Sequence, residues 1–103
     1  MIEINGIRFA QIMVAHAYGV NVEDLSAPTR GDNQAARARQ VAMYLAHVGL
    51  KKALRTVGHA FGRNHRSVLN ACRKIEAARE DPVFDRTLDW LETLVKRATE
   101  VPA

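Results

Sequence analysis

Apolar positions recur at three- and four-residue spacing along most of the chain, a period that predicts helices rather than strands. Ile7 to Tyr18 is apolar around most of its circumference, with Arg8 and Gln11 as a narrow polar stripe. That pattern predicts a largely buried helix, stopped by Gly19. Asn21 to Leu25 reads as a short helical turn, with Asn21 as its cap and acids in the first turn. Ser26 to Asn33 holds Pro28 and Gly31 and reads as a loop with Arg30 at its tip. A long helix is expected from about Gln34 to Val48, repeating Val41, Leu45 and Val48 and ending at Gly49. Leu50 to Phe61 predicts a shorter helix with Leu54, Val57 and Phe61 as its buried stripe. After the break Gly62-Arg63-Asn64, helix resumes at His65 and runs to about Arg79 over Val68, Cys72 and Ile75. Asp81 and Pro82 supply an N-cap and a first-turn proline for a last helix striped by Phe84, Leu88, Leu91 and Val95. Trp90 and Leu94 stand beside that stripe.

The 103 residues fit one domain, expected to span the whole chain with its core over about residues 7–98. Six Gly and three Pro leave few turns for a sandwich, so the expected class is all-α, a bundle of about five to six helices. The single cysteine, Cys72, lies on an apolar stripe and reads as core; one thiol closes no internal disulfide and fits a reducing cytoplasm. No apolar run reaches the length of a membrane span, and no membrane partner is expected. The four histidines lack metal-ligand spacing, and no nucleophile–base pair or phosphate-cradling glycine loop is present. Neither a cofactor nor an enzyme is expected. Asp85, Asp89 and Glu92 fall at helical spacing and read as a solvated face.

The distribution of charge changes this picture. Between Arg30 and Arg79 stand eleven basic residues and two acids, a formal +9, while the remainder carries −5. Charge alone fits a polyanion-binding surface and a solvated basic helix face equally well. The break at Gly62 tips the balance. Two helices joined by a short glycine-containing turn, the second basic on its outer face, are the outline of a helix-turn-helix. Arg66, Asn70, Arg73 and Lys74 point away from the inner stripe of that second helix. Its first turn carries Asn64, His65, Arg66 and Ser67, each able to donate or accept toward a base edge, and Arg66 can fork onto guanine. Asn64 as a helix cap and Arg66 as a solvated side chain is the plainer reading, and capping is compatible with base contact by the neighbours. Lys51, Lys52, Arg55, Arg63 and Lys74 are the candidate phosphate contacts. Arg30, on its Pro/Gly-bounded loop, suits insertion into a narrow minor groove, although a lone loop arginine is more often a plain surface residue.

Three segments together carry a resemblance: Arg37 to Leu45 (RARQVAMYL), Val57 to His65 (VGHAFGRNH) and Ser67 to Ile75 (SVLNACRKI). In this order they resemble the C-terminal DNA-binding domain, domain IV, of the bacterial replication initiator DnaA. The likeness extends over about residues 10–95 and takes in Val14 to Leu25. It implies a Trp-repressor-like helix-turn-helix that binds nonamer duplex sites, the DnaA boxes. It further implies a major-groove helix and a minor-groove loop arginine, here Arg30. Arg39, Gln40 and Lys74 match family phosphate contacts, and His65 and Ser67 fall on signature positions for base and backbone contacts. The chain departs from the family where Gly-Gly-Arg-Asp-His-Thr-Thr-Val becomes Gly62 to Val68 with one glycine fewer, Asn64 for the acid and Arg66 for a threonine. Arg55 stands where the family commonly has proline, and the loop after Leu25 is less basic.

The length leaves no room for the family's ATPase and loading domains, so the expectation is a stand-alone, nucleoid-associated DNA-binding protein regulating replication initiation or transcription. The rival expectation is a protein-interaction module that binds the initiator or its regulators, with the acidic last helix as its surface.

Overall fold

Each stretch of helical period becomes a helix, and the departures from the expected boundaries lie where the chain must turn. The computed structural model describes residues 6–27 and 33–100. Helix α1 spans Gly6–Tyr18 and is followed by a 3₁₀ turn, Val22–Leu25. Helix α2 spans Asn33–Tyr44 and widens into a π-helical turn over Leu45–Gly49. Helices α3, Leu54–Phe61, and α4, His65–Ala78, form the central pair, and α5 runs over Pro82–Thr99. Among the described residues there is no strand, and no helix is long and apolar enough to cross a membrane.

The core forms where the apolar stripes converge. Val14 of α1, Val41 of α2, Val57 and Phe61 of α3, Val68 and Ile75 of α4, and Leu88 and Val95 of α5 are fully buried, with Leu25 and Leu45 from the turns between them. α2 packs most extensively against α4, and α1 against α2, so α2 is the central support of the α3–α4 pair. Cys72 is buried in this core, and burial raises its thiol to about 11.

Three expectations need correction. Helix does not begin at Leu50. The carbonyls of Leu45 and Ala46 in the π turn accept from the amides of Leu50 (2.9 Å) and Lys52 (3.2 Å), Lys51 takes φ 60°, and Ala53 is extended as the N-cap of α3. Leu50 to Ala53 is therefore a connector that redirects the chain. Gln11 is not part of an exposed stripe but buried, its Nε2 donating to the Ala60 carbonyl (3.4 Å) and its Oε1 accepting from Arg8 (3.3 Å), while Ile12 is exposed. Asn21 holds the cap position without a side-chain cap bond; the turn closes through Asp24 N to the Asn21 carbonyl at 3.0 Å.

The acids of α5 are the fourth correction. Asp85 and Asp89 keep solvent access as expected, but with the less exposed Glu92 they also close around Arg79, whose side chain is 14% exposed. Arg79 Nε donates to Asp85 at 2.6 Å, Nη2 to Asp89, and Nη1 to the Tyr44 hydroxyl at 3.0 Å, with Glu92 3.6 Å away. Burial opposes the charge of Arg79, and its Asp85 and Tyr44 partners together outweigh that, so the guanidinium is held above its ordinary range. The Tyr44 hydroxyl in turn donates to Glu76 at 2.8 Å. This cluster ties α5 to α2 and α4, and a second tie sets the Arg37 guanidinium 5.6 Å from the Phe84 ring centre.

Candidate nucleic-acid interface

The turn between α3 and α4 is built from two glycines with different duties. Gly62 ends α3 in the left-handed region (φ 66°), where a side chain is strained. Gly58 lies a turn earlier and lets the backbone close in: Arg63 N donates to the Gly58 carbonyl at 2.8 Å. A Cβ on Gly58 would stand 2.5 Å from the Arg63 carbonyl oxygen. Asn64 then caps α4, its Oδ1 accepting from Ser67 N at 2.9 Å. With the oxygen so occupied, the amide nitrogen of this exposed side chain is left to donate outward.

Asn64, His65, Arg66, Asn70, Arg73 and Lys74 are exposed, and Ser67 is half-buried. Two clefts flank the first turn of α4. One, of about 210 Å³, lies toward α2 and is lined by Arg39, Gln40, Arg63, Ser67, Asn70 and Lys74, floored by Met43 and Ala71. The other, of about 290 Å³, lies toward α3 and is lined by Arg55, His59, Arg63, Asn64 and His65. Arg63 is the wall they share. Among the described residues that line the two clefts there is no carboxylate.

All but one of the residues expected from the sequence have a place around these clefts or near them. Arg55, Arg63, Asn64 and His65 meet in the α3-side cleft, and Gln40, Arg63, Ser67 and Lys74 in the α2-side cleft. Arg66 lines neither and stands exposed at the start of α4; Lys51 and Lys52 are exposed in the connector before α3. Arg30 lies outside the described residues. Arg39 departs from its expected part as a simple phosphate contact: it is 8% exposed. Its Nε donates to the Leu25 carbonyl (3.0 Å) and its Nη2 to that of Asp24 (3.3 Å). Burial, then the neighbouring charge of Arg63, brings its guanidinium below the ordinary value. Arg63 is likewise partly committed, donating to the carbonyls of Phe61 (3.1 Å) and Ala27 (3.0 Å). The two arginines fasten the stretch from Asp24 to Ala27 onto α2 and the helix-turn-helix. His59 was absent from the candidates, although its spacing of four from Arg55 puts both on one face of α3, a signal the period carries.

The model of the bacterial DnaA protein helix-turn-helix matches residues 8–75, the stretch from α1 through most of α4. The chain belongs to that family. Two relatives, the chromosomal replication initiator proteins DnaA 2 of Chlamydia trachomatis serovar D and of Chlamydia muridarum, are each 44% identical to it over 63 residues. That alignment covers 61% of this chain and 14% of either relative, so the chain corresponds to a small part of the initiators it matches. The DnaA helix-turn-helix comprises α3 and α4 here, supported by α1 and α2, and α5 lies beyond the matched residues.

Proposed function

We propose that this chain binds double-stranded DNA with α4 in the major groove, in the manner of DnaA-box recognition, and acts as a regulator of replication initiation or transcription. The observation that carries this is that the exposed polar first turn of α4 stands between two cationic clefts with no acid among their described lining residues. A major groove is bounded by two phosphate strands, and a helix lying in it needs cations on both flanks and donors at its tip. Lys74 and Gln40 serve one flank and Arg55 the other. Lys51 and Lys52 extend the backbone contacts, and Asn64, His65, Arg66 and Ser67 address bases and adjacent phosphates. The capped Asn64 presents donors, which suit purine N7 and O6 acceptors. Arg30 serves the minor groove. The replication setting is supported by family membership and by the names of the relatives.

Fluorescence anisotropy of a labelled duplex carrying a DnaA box, against a scrambled duplex at two salt concentrations, tests the reading. Box-preferring binding is expected, with log K falling against log salt at a slope near −5 for about six neutralised phosphates. Arg66→Ala should relax base preference, and Lys74→Ala should weaken both duplexes alike. Weak and equal binding to both duplexes would sink box recognition.

A second reading, a protein-interaction surface, is favoured by Val83 and Trp90 on α5, 63% and 62% exposed. With the α5 acids closed around Arg79, such a surface is aromatic and flanked by Arg86 and Arg97, so it suits an acidic partner. Its test is whether Trp90→Ala alters association with the initiator while leaving duplex affinity unchanged.

A further inference from the structure

We infer that His59 is a DNA-backbone contact whose protonated ring makes the complex tighten as pH falls. This rests on α4 being the major-groove helix and adds to it a specific, titratable phosphate site on the α3 side. His59 and Arg55 stand one turn apart on the exposed face of α3, and the turn of chain after Gly62 brings Arg63, Asn64 and His65 against them in one cleft of about 290 Å³. The groups that line it with His59 are thus Arg55 from its own helix, Arg63 and Asn64 from the turn, and His65 from α4. None of these described residues is an acid, so the cleft's charge suits an anionic ligand.

The partition of the two clefts points to the strand involved. Arg63 separates them, and the first turn of α4 projects between them. A helix inserted in the major groove has one phosphate strand along each side, about 12 Å apart. The α2-side cleft then meets one strand and the Arg55–His59–His65 cleft the other. A neutral imidazole offers one N–H donor; an imidazolium offers two and a full charge. A phosphate oxygen seated in the cleft favours the imidazolium, so forming the complex takes up protons in the range of about pH 5 to 8 where imidazole changes charge. Proton uptake on binding means that affinity rises as pH falls, by at most about tenfold per pH unit for each proton taken up.

The test is the affinity of the full chain for the labelled DnaA-box duplex, measured at fixed salt from about pH 8 to about pH 6. The wild type should tighten roughly threefold to tenfold over that interval. His59→Gln should lose at least about half of the gain, and its salt slope at the lower pH should be shallower than the wild-type slope by about one. His16→Gln, exposed on α1 away from both clefts, should behave as the wild type. A His59→Gln variant that tracks the wild type at every pH overturns the inference, as does a His16→Gln variant that loses the gain equally. Duplex binding at about pH 8 that Lys74→Ala weakens leaves the DNA reading standing in either case. Absence of binding at every pH overturns both.

Discussion

The carbonyl oxygen of Arg63 sits 2.5 Å from where a Cβ on Gly58 would stand, so the sharpness of the helix-turn-helix depends on an absent methyl group. The obstacle is backbone, which cannot swing aside like the end of a long side chain. Gly58→Ala should therefore cost about 1–3 kcal/mol through overpacking. For a domain of this size that lowers the melting temperature by roughly 4–8 °C per kcal/mol. Circular-dichroism melting checks it, and a variant that melts with the wild type would show that the turn relaxes freely.

Arg39 and Lys74 line the same cleft and should respond in opposite ways. Arg39→Met keeps the aliphatic stem but leaves the carbonyls of Leu25 and Asp24 without their donors. A loss of about 1–3 kcal/mol in urea denaturation is expected. Lys74→Ala, on an exposed site, should shift stability by less than about 0.5 kcal/mol while weakening duplex binding. Equal stability for the two variants would remove the fastening role of Arg39.

Arg79 is the hub that fixes α5, with carboxylates on three sides and a tyrosine hydroxyl on the fourth. Its partners are partly solvated, so the cost of Arg79→Met lies between that of a surface pair and that of a buried one, about 2 kcal/mol. Asp89→Asn, which removes the most exposed partner, should cost under about 1 kcal/mol. Matching urea midpoints for Arg79→Met and wild type would refute the hub.

Alkaline pH should destabilise the fold through Cys72. Burial raises its folded thiol from an ordinary 9.0 to about 11, aided by the charge of Glu76. The folded state holds this proton more tightly than the unfolded one. The stabilisation is thus complete below about pH 9 and is lost as pH rises through about 11. Tyr18 and Tyr44, both raised chiefly by burial, act in the same sense. Urea midpoints taken between these limits should fall, less steeply in Cys72→Ala. At neutral pH the thiol should react with a disulfide reagent only as fast as the chain opens.

The helices, most of their stripes, the Asn64 and Asp81 caps and the left-handed Gly62 were legible in the sequence, because period, cap chemistry and glycine are local signals; Val48, expected on the apolar repeat of α2, is instead exposed in the π turn. What escaped is set by tertiary partners. Nothing local distinguishes Asp85, Asp89 and Glu92 in a solvated row from the same acids wrapped around an arginine in the preceding turn. Gln11 looks polar and exposed until the Ala60 carbonyl meets it. The false start at Leu50 has the same origin: its apolar side chain fits helical period, but the widened turn before it uses up the bonds that would begin a helix there. In the candidate interface, residue types were readable and employment was not, as Arg39 demonstrates.

Arg79 lies inside the basic stretch of the sequence yet outside the basic surface. Because three carboxylates surround it, and Lys96 pairs with Glu92 at 3.4 Å beyond them, that flank of α5 is balanced, while the faces of α3 and α4 keep cations that pair with no acid among the described residues. The separation leaves the unpaired positive charge on α3 and α4 more concentrated than around Arg79. In the field of a polyanion such an uneven charge distribution feels a torque, which on the proposed reading would turn α4 forward before the surfaces meet. An arginine kept inside the fold would thereby help set which way the protein faces as it arrives.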